Sequence, residues 1–450
     1  MARVAAISHA DAADVVAYDG GHAVSAARFI ADVRRVAQGL PARAYLVNFC
    51  VDRYHFAVGL IAALVRGQIS LLPPNQTPEM LRQLQRDYAG LYALSDSSQQ
   101  SGVIEQVIYP QAAEDGGRHL AVRLSVPAFA EEQIAAIAFT SGSTGEPTAH
   151  RKTWGALARG AAAEAERFAL HRDGRATLVA TVPPQHMYGL ETSVLMALRG
   201  GLALHAGRPF YPADVAAALG EVPADRVLVT TPVHLRAMLN EEIVLPPLRM
   251  IVCATAALSR EMAEQAEARY RAPLHEVYGF TEAGMVATRR TVHGQAWQCL
   301  REVRVRRDGD DVKTVGGHVE KEVPFTDVVE LIDADKFVLH GRNADLVNIA
   351  GKRTSLAHLN HQLNSIEGVL DGVFFMPDES GKGVDRLTAF VVAPGVSREM
   401  LFGALRTRID AVFLPRPLYF VDALPRNATG KLPREALLQY AAELKPGGHE

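Results

Sequence analysis

Between Ala44 and Tyr270 the sequence alternates short apolar runs of strand length with longer helical patterns, and this rhythm limits the possible folds most severely. Residues 44–50 read as a compact strand, 54–65 as a helix apolar on every face, and 69–72 as a short strand. The turn Pro73-Pro74-Asn75-Gln76 leads into a helix over 78–88. Strands at 177–182, 201–204, 226–230 and 250–253 then alternate with helices at 190–198, 213–219 and 259–270. Parallel strands need long crossovers, usually helical, so the pattern predicts an α/β fold of packed sheets with flanking helices.

From about Val303 the texture changes. Strand patterns over 303–307, 312–315, 328–332 and 337–340 are separated by polar turns such as Asp308-Gly309-Asp310. A helix over 356–366, strands over 372–376 and 387–393, a helix over 398–409 and a terminal segment at 418–424 follow. The expected division is a large N-terminal domain over 1–343 and a small C-terminal α+β lid over 344–450. The sequence holds no internal repeat and no low-complexity tract.

A length of 450 residues accommodates two or three domains. Lys and Arg total 47 against 50 Asp and Glu, a net charge of −3. That balance argues against nucleic acid or an anionic membrane as partner, since both call for a concentrated basic field. Cys50, Cys253 and Cys299 are odd in number, far apart and without metal-ligand spacing, which points to a reducing cytoplasm. The longest apolar run, 56–65, falls well short of the ~20 residues that cross a bilayer. His9, Asp11 and Asp14 interrupt the start too early for a signal-peptide core. A cytoplasmic protein with no membrane span is expected.

The most informative local stretch is an apolar strand, 134–139, running into Thr140, Ser141, Gly142, Ser143, Thr144 and Gly145, then Glu146-Pro147. Glycines let the backbone curl until several N–H groups converge, and hydroxyls add donors; such a nest binds phosphate oxygens. No Gly-Lys-Ser/Thr closes the loop, so it is not of the Walker type. A plain Ser/Gly turn shares the composition but has no need of the apolar strand in front.

This stretch resembles the phosphate loop of the adenylate-forming superfamily, which holds acyl- and aryl-CoA synthetases, peptide-synthetase adenylation domains and beetle luciferases. Four more motifs follow in the family's order: Tyr278-Gly279-Phe280-Thr281-Glu282, Asp327, Gly341-Arg342 and Gly430-Lys431. The likeness extends from about Phe56 to Leu437. It implies ATP-dependent activation of a carboxylic acid, aryl or fatty, to an acyl-adenylate with release of pyrophosphate. Transfer to the thiol of CoA or of an acyl carrier protein completes the reaction.

The resemblance implies ATP and Mg²⁺ as cofactors and distributes roles. The Thr140–Gly145 loop would hold the departing phosphates. Glu282 would hold Mg²⁺, a hard cation that prefers oxygen ligands. Thr281 would donate to the α-phosphate and Tyr278 would stack on adenine. Asp327, assisted by Arg342, would accept from the vicinal ribose hydroxyls. Lys431 would reach both the substrate carboxylate and the α-phosphate as a mobile ammonium. His186, within Pro183-Pro184-Gln185-His186-Met187-Tyr188-Gly189-Leu190, matches the segment lining the carboxylate end of the acyl pocket. Ala254, Thr255, Ala256 and Gly279 would line the rest, and Ala344 holds the hinge position.

Several positions depart from the family pattern. Thr148 stands where the phosphate loop usually carries a lysine, and His150, Arg151 and Lys152 are three candidate replacements for its charge. Ala344 replaces a common Asp or Lys, Asn348 a common Lys, and His358 and Asn360 the usual acidic pair. Thr326 replaces the glycine usually found before Asp327. With the short length, these departures suggest a dedicated enzyme that loads a carrier protein. Two alternatives stand beside it. A stand-alone amino-acid adenylation protein would need an Asp for the α-amino group, and none is evident. A non-catalytic nucleotide binder would have little need of Glu282 and Lys431.

Overall fold

The computed structural model describes residues 2–97, 102–110, 124–141, 147–172, 175–309, 311–325, 327–342, 346–349, 352–376, 387–427 and 430–444. The chain divides into two compact units. One comprises Met1–Pro324 with Ile332–Lys336, the other Phe325–Leu331 with Phe337–Glu450. The fold is mixed α/β, with several sheets flanked by helices.

The larger unit contains two principal sheets. The first runs in the order Pro147–Thr153, Ile134–Ser141, Ile69–Leu72, Tyr45–Asn48, Tyr92–Ser95, Gln106–Ile108. It is parallel except for the antiparallel pair Ile134–Ser141 and Pro147–Thr153. The second runs Ala296–Cys299, Gly284–Arg289, Leu274–Phe280, Leu248–Cys253, Arg226–Thr230, Thr177–Ala180, Ala203–His205, Val15–Asp19, His22–Ser25. Its strands from Leu274–Phe280 through Val15–Asp19 are parallel. The alternation between Ala44 and Tyr270 thus builds two parallel sheets.

Local chemistry explains the helix boundaries. Ser25, Asp52 and Ser259 each accept a backbone N–H from the first turn that follows, satisfying a donor that the helix itself cannot pair. Arg53–Val65 is buried along nearly its whole length because it packs on Tyr45–Asn48, Ile69–Leu72 and Ala203–His205, strands of both sheets. A helix wedged between two sheets has no solvent face, which accounts for its unbroken apolar sequence. Val179, Leu228, Ile251 and Leu274 form one core with Leu235 and Met238; Val47, Leu71, Ile137 and Phe139 form another with Leu81 and Leu84.

One helix departs from its expected span. Instead of 190–198, a helical run covers Met187–Gly189, Leu190–Leu195 and Met196–Gly200, and its central six residues are wound as a π-helix. Wide turns of this kind recur at functional sites. The strands expected from 303 onward also resolve differently. Arg304–Asp308, Asp311–Gly316 and Val319–Pro324 make a three-stranded antiparallel sheet of their own. The third strand, VEKEVP, is too polar for periodicity to reveal.

In the smaller unit, Asp327–Asp333 is hydrogen-bonded to Lys336–Arg342, and Leu346–Ile349 pairs with Lys352–Ser355. A sheet of Asp371–Phe375, Thr388–Val392 and Leu418–Phe420 packs with helices Leu356–Asn364 and Arg398–Arg406 around Leu359, Leu363, Phe374, Val391, Leu401 and Leu405. A final helix, Arg434–Leu444, which the sequence pattern does not predict, covers the other sheet face through Leu437 against Val373, Phe375 and Phe390. Among the described residues no helix is long and apolar enough to cross a membrane.

Candidate active site

In the larger unit the candidate residues gather at the C-terminal ends of strands, where open parallel sheets place ligands. Ile134–Ser141 carries Thr140 at its end and pairs with Pro147–Thr153, with Thr140 opposite Thr148 and Ala138 opposite His150. Gly142, Ser143, Thr144 and Gly145 lie outside the described residues, as does Ala344. Side chains alternate along a strand, so Thr148, His150 and Lys152 share one face and Arg151 takes the other. Lys152 is buried and Arg151 exposed. Of the three candidate cations, Lys152 therefore turns inward, and His150 lies half-buried above it.

The Tyr278–Glu282 motif occupies a hairpin. Leu274–Phe280 runs antiparallel to Gly284–Arg289, and Thr281, Glu282 and Ala283 form the turn. The pairing register slips between Tyr278 and Gly279, a bulge that re-aims the strand end. Gly279 is required there, since a Cβ would lie 2.6 Å from the Gly284 carbonyl oxygen and 2.9 Å from the Met285 Cα. Tyr278 is buried, its ring 5.6 Å from that of Trp297, over which Arg289 is stacked at 4.5 Å.

The hairpin and the end of the loop strand meet. Thr140 Oγ1 lies 2.9 Å from His150 Nε2, which lies 3.6 Å from Glu282 Oε1. Lys152 Nζ donates to the Glu282 carbonyl oxygen at 2.8 Å. Burial lowers the pKa of His150, opposed by Glu282 and aided by Lys152. Burial also lowers the Lys152 pKa, against the pull of Glu191, Glu282 and Glu320.

Beneath the hairpin lies an acid that the sequence did not single out. Glu191, in the π-helical segment, is buried, and desolvation raises its pKa to about 7 although Lys152 and the Met285 N–H favour the charged form. Glu164 is fully buried nearby, and burial pushes its pKa well up, offset in part by the Thr192 hydroxyl. Arg53 was also missed. Its guanidinium, fully buried, donates to Ala180 O and Ser193 Oγ at 2.7 Å and to Val182 O at 3.0 Å. It thereby ties down the strand end that leads to His186. Polar residues inside helices resemble ordinary surface residues until their distant partners are known.

His186 is half-buried and caps the Met187 helix, its Nδ1 accepting the Tyr188 N–H at 3.3 Å. Ala254, Thr255 and Ala256 follow directly on strand Leu248–Cys253, passing from buried to exposed. Thr255 has φ +84, a left-handed conformation costly for a β-branched side chain, and such strain clusters at ligand sites.

In the smaller unit, Asp327 begins strand Asp327–Asp333 half-buried, and Arg342 ends strand Lys336–Arg342. Lys431 is exposed on a loop whose backbone is well anchored. Its N–H donates to Asn427 Oδ1 and its carbonyl accepts from the Asn427 N–H, both at 2.9 Å. Arg426 donates to Gly430 O at 2.6 Å and grips Asp371 through two bonds of 2.7 Å.

Glu282 can be tested as a Mg²⁺ ligand on its surroundings. Its side chain is one-third exposed at the tip of a hairpin, and among the described residues no group of three acids, histidines or cysteines could cage a metal. Mg²⁺ carried by a nucleotide keeps waters and phosphate oxygens and needs one or two carboxylates. One accessible carboxylate fits that mode.

Comparison with known proteins follows the same lines. Residues 5–336 match the AMP-binding enzyme family. A 4-coumarate–CoA ligase from Rhodobacter capsulatus is 29% identical over 304 residues, 67% of this chain and 75% of that protein. A nonribosomal peptide synthetase-like enzyme from Aspergillus fumigatus is 24% identical over 89% of this chain and 31% of its own length. The o-succinylbenzoate CoA synthetase MenE from Bacillus subtilis, solved with an acyl-adenylate, superimposes with a TM-score of 0.79 at 18% identity, covering 97% of this chain and 96% of that one. With a match over most of its length and the family's polar motifs on its strand ends, the chain belongs to the AMP-binding enzyme family.

Proposed function

We propose that this chain is an AMP-forming acid–thiol ligase that joins a carboxylic acid, aryl by preference, to AMP and then passes the acyl group to a thiol. The observation that carries the reading is the approach of Thr140, His150 and Glu282, which joins the loop strand to the acidic hairpin. An acid oxygen attacks the α-phosphorus of ATP, the bond to the bridging oxygen breaks, and pyrophosphate leaves. The thiolate of CoA or of a carrier protein then attacks the acyl carbon, and AMP leaves.

An anion must approach a polyanion in the first step, so the protein's task is positioning and neutralisation of charge. Ser141 to Gly145 would donate to the β- and γ-phosphates beside Thr140. Glu282 would hold Mg²⁺, which when bound neutralises phosphate charge and orients the leaving group. Thr281 would donate to the α-phosphate and Tyr278 would flank adenine. Asp327 and Arg342 would take the ribose, Lys431 would reach the reacting carboxylate, and His186 with Ala254, Thr255 and Ala256 would line the acyl pocket. The likeness to a coumarate ligase favours an aryl acid and CoA, whereas Ala344 at the hinge position favours a dedicated carrier. Cys50, Cys253 and Cys299 are buried free thiols, the state that a reducing cytoplasm maintains.

Pyrophosphate exchange with hydroxybenzoates, cinnamates and medium and long fatty acids tests the proposal. Exchange with at least one aryl acid is expected, followed by thioester formation with CoA or a phosphopantetheinylated carrier. Nucleotide binding without exchange for any acid would leave a non-catalytic binder instead.

A further inference from the structure

We propose that Lys152 and Glu191 are positioning residues, a buried strut that fixes the Thr281–Glu282 turn so that its carboxylate faces a phosphate-borne Mg²⁺. The proposal rests on the ligase reading and adds to it two residues outside the motifs.

The strut is built from three elements remote in sequence. Lys152 stands on Pro147–Thr153, Glu191 in the π-helical segment Leu190–Leu195, and the turn joins Leu274–Phe280 to Gly284–Arg289. Lys152 Nζ grips one side of the turn through the Glu282 carbonyl at 2.8 Å. The Glu191 carboxylate lies on the other side, against Gly284, where the Lys152 charge favours its ionised form. Gly284 has φ +78, and a Cβ there would lie 2.7 Å from Glu191 Oε1. The carboxyl thus fills the space directly below the turn, and glycine is the residue that lets it do so.

The arrangement also ties the turn to the phosphate loop. Lys152 and His150 share a strand face, and His150 touches Thr140 at the loop's beginning. Where the family usually places a lysine, Thr148 offers no charge. Lys152 supplies one four residues later but directs it at the backbone of the metal-binding turn. A buried cation and a buried acid set near each other in this way are better suited to specifying geometry than to adding stability, because their desolvation consumes most of their attraction.

Lys152→Met and the double variant Lys152→Met with Glu191→Gln separate positioning from folding. The single variant leaves a buried acid without its cation and is expected to melt earlier. The double variant carries no unpaired charge and should regain much of the lost melting temperature. If the pair positions the turn, both variants should need about 10-fold more Mg²⁺ for half-maximal pyrophosphate exchange, the usual cost of losing support behind a ligand. Hydrogen exchange at the Ala283 and Met285 amides, measured on metal-free protein, should accelerate in both. A double variant with wild-type Mg²⁺ requirement and wild-type exchange at these amides would overturn the strut. If the wild type itself turns over no acid, the ligase reading falls, and the metal-free amide comparison still decides the strut.

Discussion

His318 illustrates how far burial alone determines a residue's chemistry. It is 5% exposed, with neither ring nitrogen in a hydrogen bond of normal geometry, and packs against Gly160. Burial lowers its pKa to about 4, with Lys152 and Arg159 adding to the effect and the Met285 backbone opposing it. A histidine with a depressed folded pKa contributes stability that is present above its unfolded value near 6.5 and is lost as pH falls through 4. At about 1.4 kcal/mol per unit, the shift from 6.5 to about 4 accounts for about 3.5 kcal/mol at most. The stability of the wild type relative to His318→Gln, followed by urea unfolding, is therefore expected to shrink as pH falls from 6.5 toward 4. A constant difference would show that the ring does not titrate on unfolding. The same physics limits what can be read from sequence at this scale. Thr140, Tyr278 and Glu282 sit in motifs whose meaning is local, and they were legible. Glu191, Arg53 and the inward turn of Lys152 depend on partners up to 140 residues away, and nothing adjacent announces them.

At the level of elements, the hairpin Leu274–Phe280 with Gly284–Arg289 sets the tolerance of the site. The backbone passes so close at Gly279 that a methyl group would overlap the Gly284 carbonyl and the Met285 Cα, atoms that cannot rotate aside. Gly279→Ala is expected to destabilise the protein by about 1–3 kcal/mol, the usual cost of overpacking, and to raise the KM for ATP by displacing Thr281 and Glu282. Gly220→Ala is the control. It ends a helix, with nothing within 4 Å of the place its methyl would take, and should be neutral or slightly stabilising. Equal unfolding midpoints for the two variants would mean that the hairpin yields freely. Elements were legible where periodicity reports burial, as for Arg53–Val65 and the parallel strands. They were illegible where another rule governed. Val319–Pro324 is held by ladder bonds with few apolar residues, and the Met187–Gly200 run begins at a histidine cap instead of an apolar face. Arg434–Leu444 follows directly on a Pro/Gly loop whose composition signals irregular structure.

Over the whole molecule, the polar motifs fall in two compact units: Thr140 and the acidic hairpin in one, Asp327 and Lys431 in the other. On the proposed reaction, Lys431 would serve the first half-reaction and not the second. Lys431 suits that role because its loop is anchored by main-chain bonds and by the Arg426–Asp371 pair, bonds that do not involve the ammonium. Lys431→Ala removes the charge and leaves those bonds in place, so the smaller unit should keep its fold. Loss of one group that stabilises developing charge costs about 10²–10³ in rate. Pyrophosphate exchange is expected to fall by that factor while ATP affinity, measured calorimetrically, changes little. Thiolysis of a supplied acyl-adenylate should proceed near the wild-type rate, because the charge that Lys431 would offset develops as the acid attacks the α-phosphorus, and that bond is already made in the adenylate. Exchange at the wild-type rate would remove Lys431 from the first half-reaction. An equal loss in both halves would mean that it holds the units in a common arrangement instead of serving the adenylation step.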